Sequence, residues 1–290
     1  MTGKTQIART AVTKALRLRA RLGVSPNCAV DPVDLAARLG IQVHFEPLPS
    51  LEGIYVAGRQ PRIILGSDRP SGRRNFTCAH EIGHDAHGHG SRVDEYRPEG
   101  KTYDPQEFAA DRFAAALLMP KIGVQAVFAT RGWDIRKPTP EHAYIVSAEL
   151  GVGYSTLAGY LSGTLELISD SRRQFLRRQL PRQIRTAIVG RNINQHLVIV
   201  DTGWRRPEVD LEVGDVVILS GSLDDPEGHL REQPRASGRV TELTAISPGE
   251  GRFCTPNCSG AIRIAPRCYK GLSDYRFLSS THDTPMEAPA

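Results

Sequence analysis

Several things are scarce in this chain of 290 residues. It has 5 cysteines, an odd and scattered set that fits a reducing compartment better than a disulfide framework. It has 2 tryptophans and 3 methionines. No stretch reads as the roughly 18 consecutive apolar residues that a membrane helix needs. The first residues mix Lys and Arg with single apolar positions and lack the apolar segment of a signal peptide, so a cytoplasmic, membrane-free protein is expected. Net charge is +5, too mild to argue for nucleic acid by itself. Hydrophobic content of 40% and charged content of 24% are those of a globular protein, and the length suggests more than one domain.

What is present centres on Cys78 to His84. His80 and His84 are four residues apart, which puts both imidazoles on one face of a helix. With Glu81 they form His-Glu-x-x-His, in which the two rings bind zinc and the carboxylate acts as general base. A catalytic zinc takes three protein ligands. His87 is ruled out as the third, because it lies about 10 Å along a straight helix from His80 at about 1.5 Å per residue. Glu107 opens a second apolar helix ending before Pro120 and is the expected third ligand. Asp111, one turn on, is expected to accept a hydrogen bond from the far nitrogen of a ligand histidine, His80 being the one favoured. His87 and His89 read as helix-end residues. The cofactor expected is one Zn²⁺, with Mn²⁺ able to take its place.

These residues resemble the ImmA/IrrE family of bacterial metallopeptidases over about Asp31 to Pro120. The likeness is carried by Asp31 to Val43, Arg62 to Leu65, Arg74 to His84 and Glu107 to Pro120. Cys78 stands where an aliphatic residue is commoner, and Asp111 where Asn is commoner. The resemblance implies a cytoplasmic protease that cuts a helix-turn-helix repressor and so switches on stress or mobile-element genes.

The rest of the chain sets an α+β expectation: a mainly helical zincin-like metallopeptidase domain with a small sheet over 1–130, a helical segment over 131–189, and a small all-β domain over 190–290. Helices are expected at residues 4–22, after Asp31-Pro32, from Ser71 to about Gly88, and over Ile122–Ala129. Strands are expected at Ile41–Phe45, Ile54–Val56 and Arg62–Leu65. One of the last two is expected to be an edge that pairs with extended substrate. Residues 91–105, with Tyr96 and Tyr103, read as a loop over the cleft. Glu141–Leu150 and Tyr154–Leu161 form a helical hairpin of helix-turn-helix shape, but the second helix lacks base-reading side chains. Arg172, Arg173, Arg177, Arg178, Arg182 and Arg185 crowd one stretch: a solvated helix face, or a surface for DNA or an acidic partner. Cys254, Cys258 and Cys268 would need His229 or His282 to complete a second metal site; free thiols are the simpler reading. Beside a repressor-specific zinc endopeptidase stand two other readings: a non-proteolytic DNA- or protein-binding module on a zinc scaffold, and a hydrolase of small peptides.

Overall fold

The structure is a computed structural model, and it describes residues 3–95, 103–233 and 240–278. Tyr96, His282 and the tail from Ser279 lie outside the described residues. The chain divides into two units. The first is 1–194 with 203–206 and 270–273; the second is 195–202, 207–269 and 274–290. The stretches 1–130 and 131–189 therefore share one unit.

The first unit begins with α1 (Gly3–Arg21) and α2 (Pro32–Arg38). Asp31 caps α2, its Oδ1 accepting from the Val33 amide at 2.7 Å, with Pro32 preset in the first turn. The strands β1 (Gln42–Glu46), β2 (Leu51–Val56) and β3 (Arg62–Gly66) lead into α3 (Ser71–His87) and β4 (Arg92–Glu95). Then come α4 (Pro105–Leu118), α5 (Lys121–Thr130), α6 (Pro140–Glu149), α7 (Tyr154–Gly163), α8 (Asp170–Arg177) and α9 (Pro181–Val189). The run Pro105–Thr130 does reach membrane-helix length and hydropathy, yet 67% of its apolar window is buried here and Pro120 divides it between α4 and α5. It is a core element of this unit.

The unit's sheet runs Gly271–Leu272, β1, β3, β2, β4. β1 and β3 are parallel; β2 pairs antiparallel with both β3 and β4. Two expectations fail here. Both candidate substrate strands are interior, since β3 lies between β1 and β2, and β2 between β3 and β4. The outer strands among the described residues are Gly271–Leu272 and β4, the latter within the segment expected to be loop. A polar four-residue edge strand carries little apolar alternation, so composition alone reads it as coil.

α4 packs against both α1 and α3. Ile82 on α3 and Phe113 and Leu117 on α4 are fully buried, each contributing roughly 1.5–3 kcal/mol. The close approach of α3 to α4 depends on Gly83, where an added Cβ would sit 3.1 Å from Ala110 Cα. Arg19 of α1, itself buried, ties the end of α4 by donating to the Leu117 carbonyl at 2.7 Å. α6 and α7 meet at a turn with Gly151 at φ 65°. Tyr154, Leu157, Ala158 and Leu161 are buried, which fits a hairpin held within the unit.

In the second unit β5 (Leu197–Val200), β6 (Glu208–Glu212), β7 (Val216–Leu219), β8 (Ser222–Asp224), β9 (Leu230–Gln233), β10 (Thr241–Ala245), β11 (Gly249–Cys254) and β12 (Ser259–Ala265) form two four-stranded sheets. Their orders are β5-β7-β10-β9 and β6-β12-β11-β8. β5 and β7 are buried at every position, as expected of continuous apolar runs. The strand β13 (Gly271–Leu272) returns to the first unit and pairs with β1.

Candidate metal centre

Helical periodicity divides α3 into two working faces. His80 and His84 face α4, while Thr77, Glu81 and Asp85 point toward β2. α4 starts at an Asp104 cap, whose Oδ1 accepts from the Gln106 amide at 2.8 Å, and this sets Glu107 in the first turn. With Gly83 allowing close approach, three side chains meet. His80 Nε2 lies 3.0 Å from His84 Nε2. Glu107 Oε2 is 3.4 Å from His80 Nε2, and Oε1 is 3.5 Å from His84 Nε2. All three side chains are buried. Among the described residues this is the one group of His, Cys, Asp and Glu gathered as a metal site.

The donor set fits zinc. Tetrahedral zinc with bonds of about 2.0–2.1 Å holds its ligand atoms about 3.3 Å apart. The observed separations bracket that value. Asp111 Oδ1 is 2.9 Å from His80 Nδ1, on the side away from the cluster. Zinc-binding histidines carry such a carboxylate partner, which fixes the tautomer and raises ligand basicity. Glu81, next to His80 in α3, is fully buried. Its carboxylate lies against β2 at Gly53, where a Cβ would come within 2.7 Å of Glu81 Oε1 and 2.5 Å of Thr77 Cγ2. The next inward residue of β2, Tyr55, donates to Asp85 Oδ1 at 2.5 Å; burial and this bond raise its phenol pKa well above the usual range.

The two histidines expected at the helix end do stand there, His87 as the last residue of α3 and His89 just past its cap, and both make further contacts. α3 ends at Gly88 in the left-handed region, φ 68°, and the chain folds back. His89 Nδ1 comes 2.9 Å from His84 Nδ1. The His87 ring stacks on His89 with centroids 5.2 Å apart, and its Nδ1 lies 2.8 Å from the Gly83 carbonyl. Burial lowers the pKa of both rings, so both favour the neutral form. The sequence signal for His89 was the His-Gly-His-Gly run, in which paired glycines permit a reversal.

The other singled-out residues lie elsewhere. Tyr103 packs on Phe108 with centroids 5.7 Å apart. The arginine stretch is broken at Pro181 into α8 and α9. Arg173 pairs with Asp170 at 3.1 Å, Arg182 donates to Asn192 and Arg185 to the Asn194 carbonyl. Arg172 lies over the exposed Phe175 ring and lines a trough of about 420 Å³ with Arg136 and Lys137. Arg177 and Arg178 close α8. Among the described residues Cys254, Cys258 and Cys268 take part in no disulfide. His229 is buried between Ser247 Oγ and Glu227 Oε2, each at 3.0 Å, and so is not turned to a cysteine site.

Residues 36–162 match a family model, Peptidase_M78, described as the IrrE N-terminal-like domain. The match runs past residue 130 and takes in α6 and almost all of α7. Comparison with curated proteins gave no match.

Proposed function

Residues 36–162 belong to the ImmA/IrrE family, and on that premise we propose that this protein is a zinc-dependent endopeptidase acting in the cytoplasm on a helix-turn-helix repressor, whose loss derepresses stress or mobile-element genes. The family supports a metallopeptidase in general. The finer reading rests on one observation: two imidazoles and a carboxylate converge within 3.0–3.5 Å of one another, with Asp111 behind His80.

His80, His84 and Glu107 would hold the ion. Bound zinc supplies a positive charge that polarises a peptide carbonyl and acidifies water. Asp111 keeps the proton of His80 on Nδ1, leaving the Nε2 lone pair for the metal. Glu81 takes the proton of the attacking water on a carboxylate oxygen and delivers it to the departing amine nitrogen. Full burial keeps that carboxylate out of bulk solvent and in one place.

The test is incubation of the full chain, with and without zinc, with a helix-turn-helix repressor encoded beside it. Cleavage is expected only with zinc. Glu81→Gln should keep zinc and lose about 10²–10⁴-fold in rate. An E81Q variant that cuts at the wild-type rate removes Glu81 from the role of base. The trough at Arg136, Lys137 and Arg172 favours a second reading, in which α8 binds an anionic partner such as DNA. Salt-sensitive retention of DNA by an inactive variant would support that reading.

A further inference from the structure

We propose that His89 is a positioning residue for the metal centre: its Nδ1 accepts the Nδ1–H of His84 and so fixes the tautomer and plane of that ligand. The inference rests on the zinc reading above. His84 turns Nε2 toward the cluster, 3.0 Å from His80 Nε2 and 3.5 Å from Glu107 Oε1. A neutral imidazole that offers Nε2 as a lone pair carries its proton on Nδ1. That nitrogen lies 2.9 Å from His89 Nδ1. Two ring nitrogens so close need one N–H and one lone pair, so His89 is the acceptor and keeps its own proton on Nε2.

The turn is built to deliver this contact. Gly88 at φ 68° and Gly90 at φ 74° flank His89. The His89 amide donates to the His84 carbonyl at 3.1 Å, and the Gly88 amide to the Asp85 carbonyl at 3.0 Å. The two rings that meet thus also share a backbone hydrogen bond. His87, anchored on Gly83, stacks on the His89 ring. Lys14 of α1 donates to the Ala86 carbonyl at 2.8 Å and ties the same turn to the first helix.

The two ligand rings are therefore supported unequally. His80 has a carboxylate behind it and His84 a neutral ring. A carboxylate partner raises the basicity of its imidazole, whereas a neutral acceptor mainly orients it. His84 is the weaker donor of the pair, and its hold on the metal depends more on orientation.

A matched pair of variants in the full chain tests this. In His89→Asn the amide oxygen takes the place of Nδ1 and can still accept. His89→Leu has similar bulk and no acceptor. Zinc affinity is read by competition with a chromogenic chelator, and the melting temperature of the zinc-free protein is read alongside. H89L is expected to bind zinc about 10–100-fold more weakly, the usual cost of losing such a partner, while H89N stays near wild type and both zinc-free proteins melt alike. Unchanged affinity in H89L, or equal loss in both variants, overturns the acceptor role. Wild-type protein that binds no zinc overturns the centre itself, and the inference with it.

Discussion

Glycine 53 carries the most exposed test of how Glu81 is held. In Gly53→Ala the new Cβ would sit 2.7 Å from Glu81 Oε1 and 2.5 Å from Thr77 Cγ2. Ordinary contact begins at 3.4 Å, so the carboxylate must retreat by 3.4 − 2.7 = 0.7 Å. Misplacing a reacting group by about 1 Å costs about 10²-fold, so a fall of about 10–100-fold in kcat is expected, with KM little changed. Overpacking should also cost about 1–3 kcal/mol of stability. The two effects can be separated, because Thr77→Ser removes Cγ2 and leaves Glu81 in place. The double variant G53A/T77S should regain much of the stability and none of the activity. Zinc content should remain at the wild-type value in each, since His80 and His84 occupy the other face of α3. Turnover of the substrate proposed above, zinc stoichiometry and urea melts are the measurements. Wild-type turnover by G53A, or activity that returns together with stability in the double variant, would refute the account of Glu81.

Gly83→Ala would place a Cβ 3.1 Å from Ala110 Cα and 3.3 Å from the Ala110 carbonyl oxygen, backbone atoms that cannot step aside alone. It should force α3 and α4 apart, cost about 1–3 kcal/mol and shrink the rise in melting temperature that zinc confers on the wild type; an undiminished zinc shift would contradict this. Arg131 Nη2 meets Glu149 Oε2 at 2.7 Å, with side chains only 3% and 1% exposed. Arg131→Ala should cost about 3–5 kcal/mol by urea denaturation, because it removes the cation from a buried carboxylate. The double variant R131L/E149L should recover most of that loss, and a single variant within experimental error of wild type would dismiss the pair as a structural anchor.

The gathering of His80, His84 and Glu107 was legible because the parts obey helical periodicity. His80 and His84, like Glu107 and Asp111, are one turn apart on a single element, and apolar neighbours mark which faces pack. Small residues at Gly83 and Ala110 are what let the two helices approach closely. His89 could not be read this way. Its contact is made by a reversal after Gly88, and no helical spacing links residues 84 and 89. Sheet order was equally hidden. β2 and β3 look alike as short apolar strands, and nothing local says that polar Arg92–Glu95 adds the outer strand. The pairing of β1 with Gly271–Leu272 joins distant parts of the chain, and a two-residue strand has no pattern to detect. The break at Leu180-Pro181, by contrast, is the ordinary effect of a proline, and it divides the arginines between α8 and α9.

Gly203–Arg206 and Lys270–Ser273 belong to the unit that contains His80, His84 and Glu107, although residues of the other unit separate them in the chain. A fragment ending at residue 194 would therefore be an incomplete domain. It would lack buried Trp204 and Arg206, and the outer rim of β1 would lose its neighbour at His44 and Phe45. Exposed amides and carbonyls on such a rim invite other chains to add themselves. Attempts to dissect this protein by truncation should expect aggregation as the first result, and should graft the returning strand back before judging whether the remainder is competent.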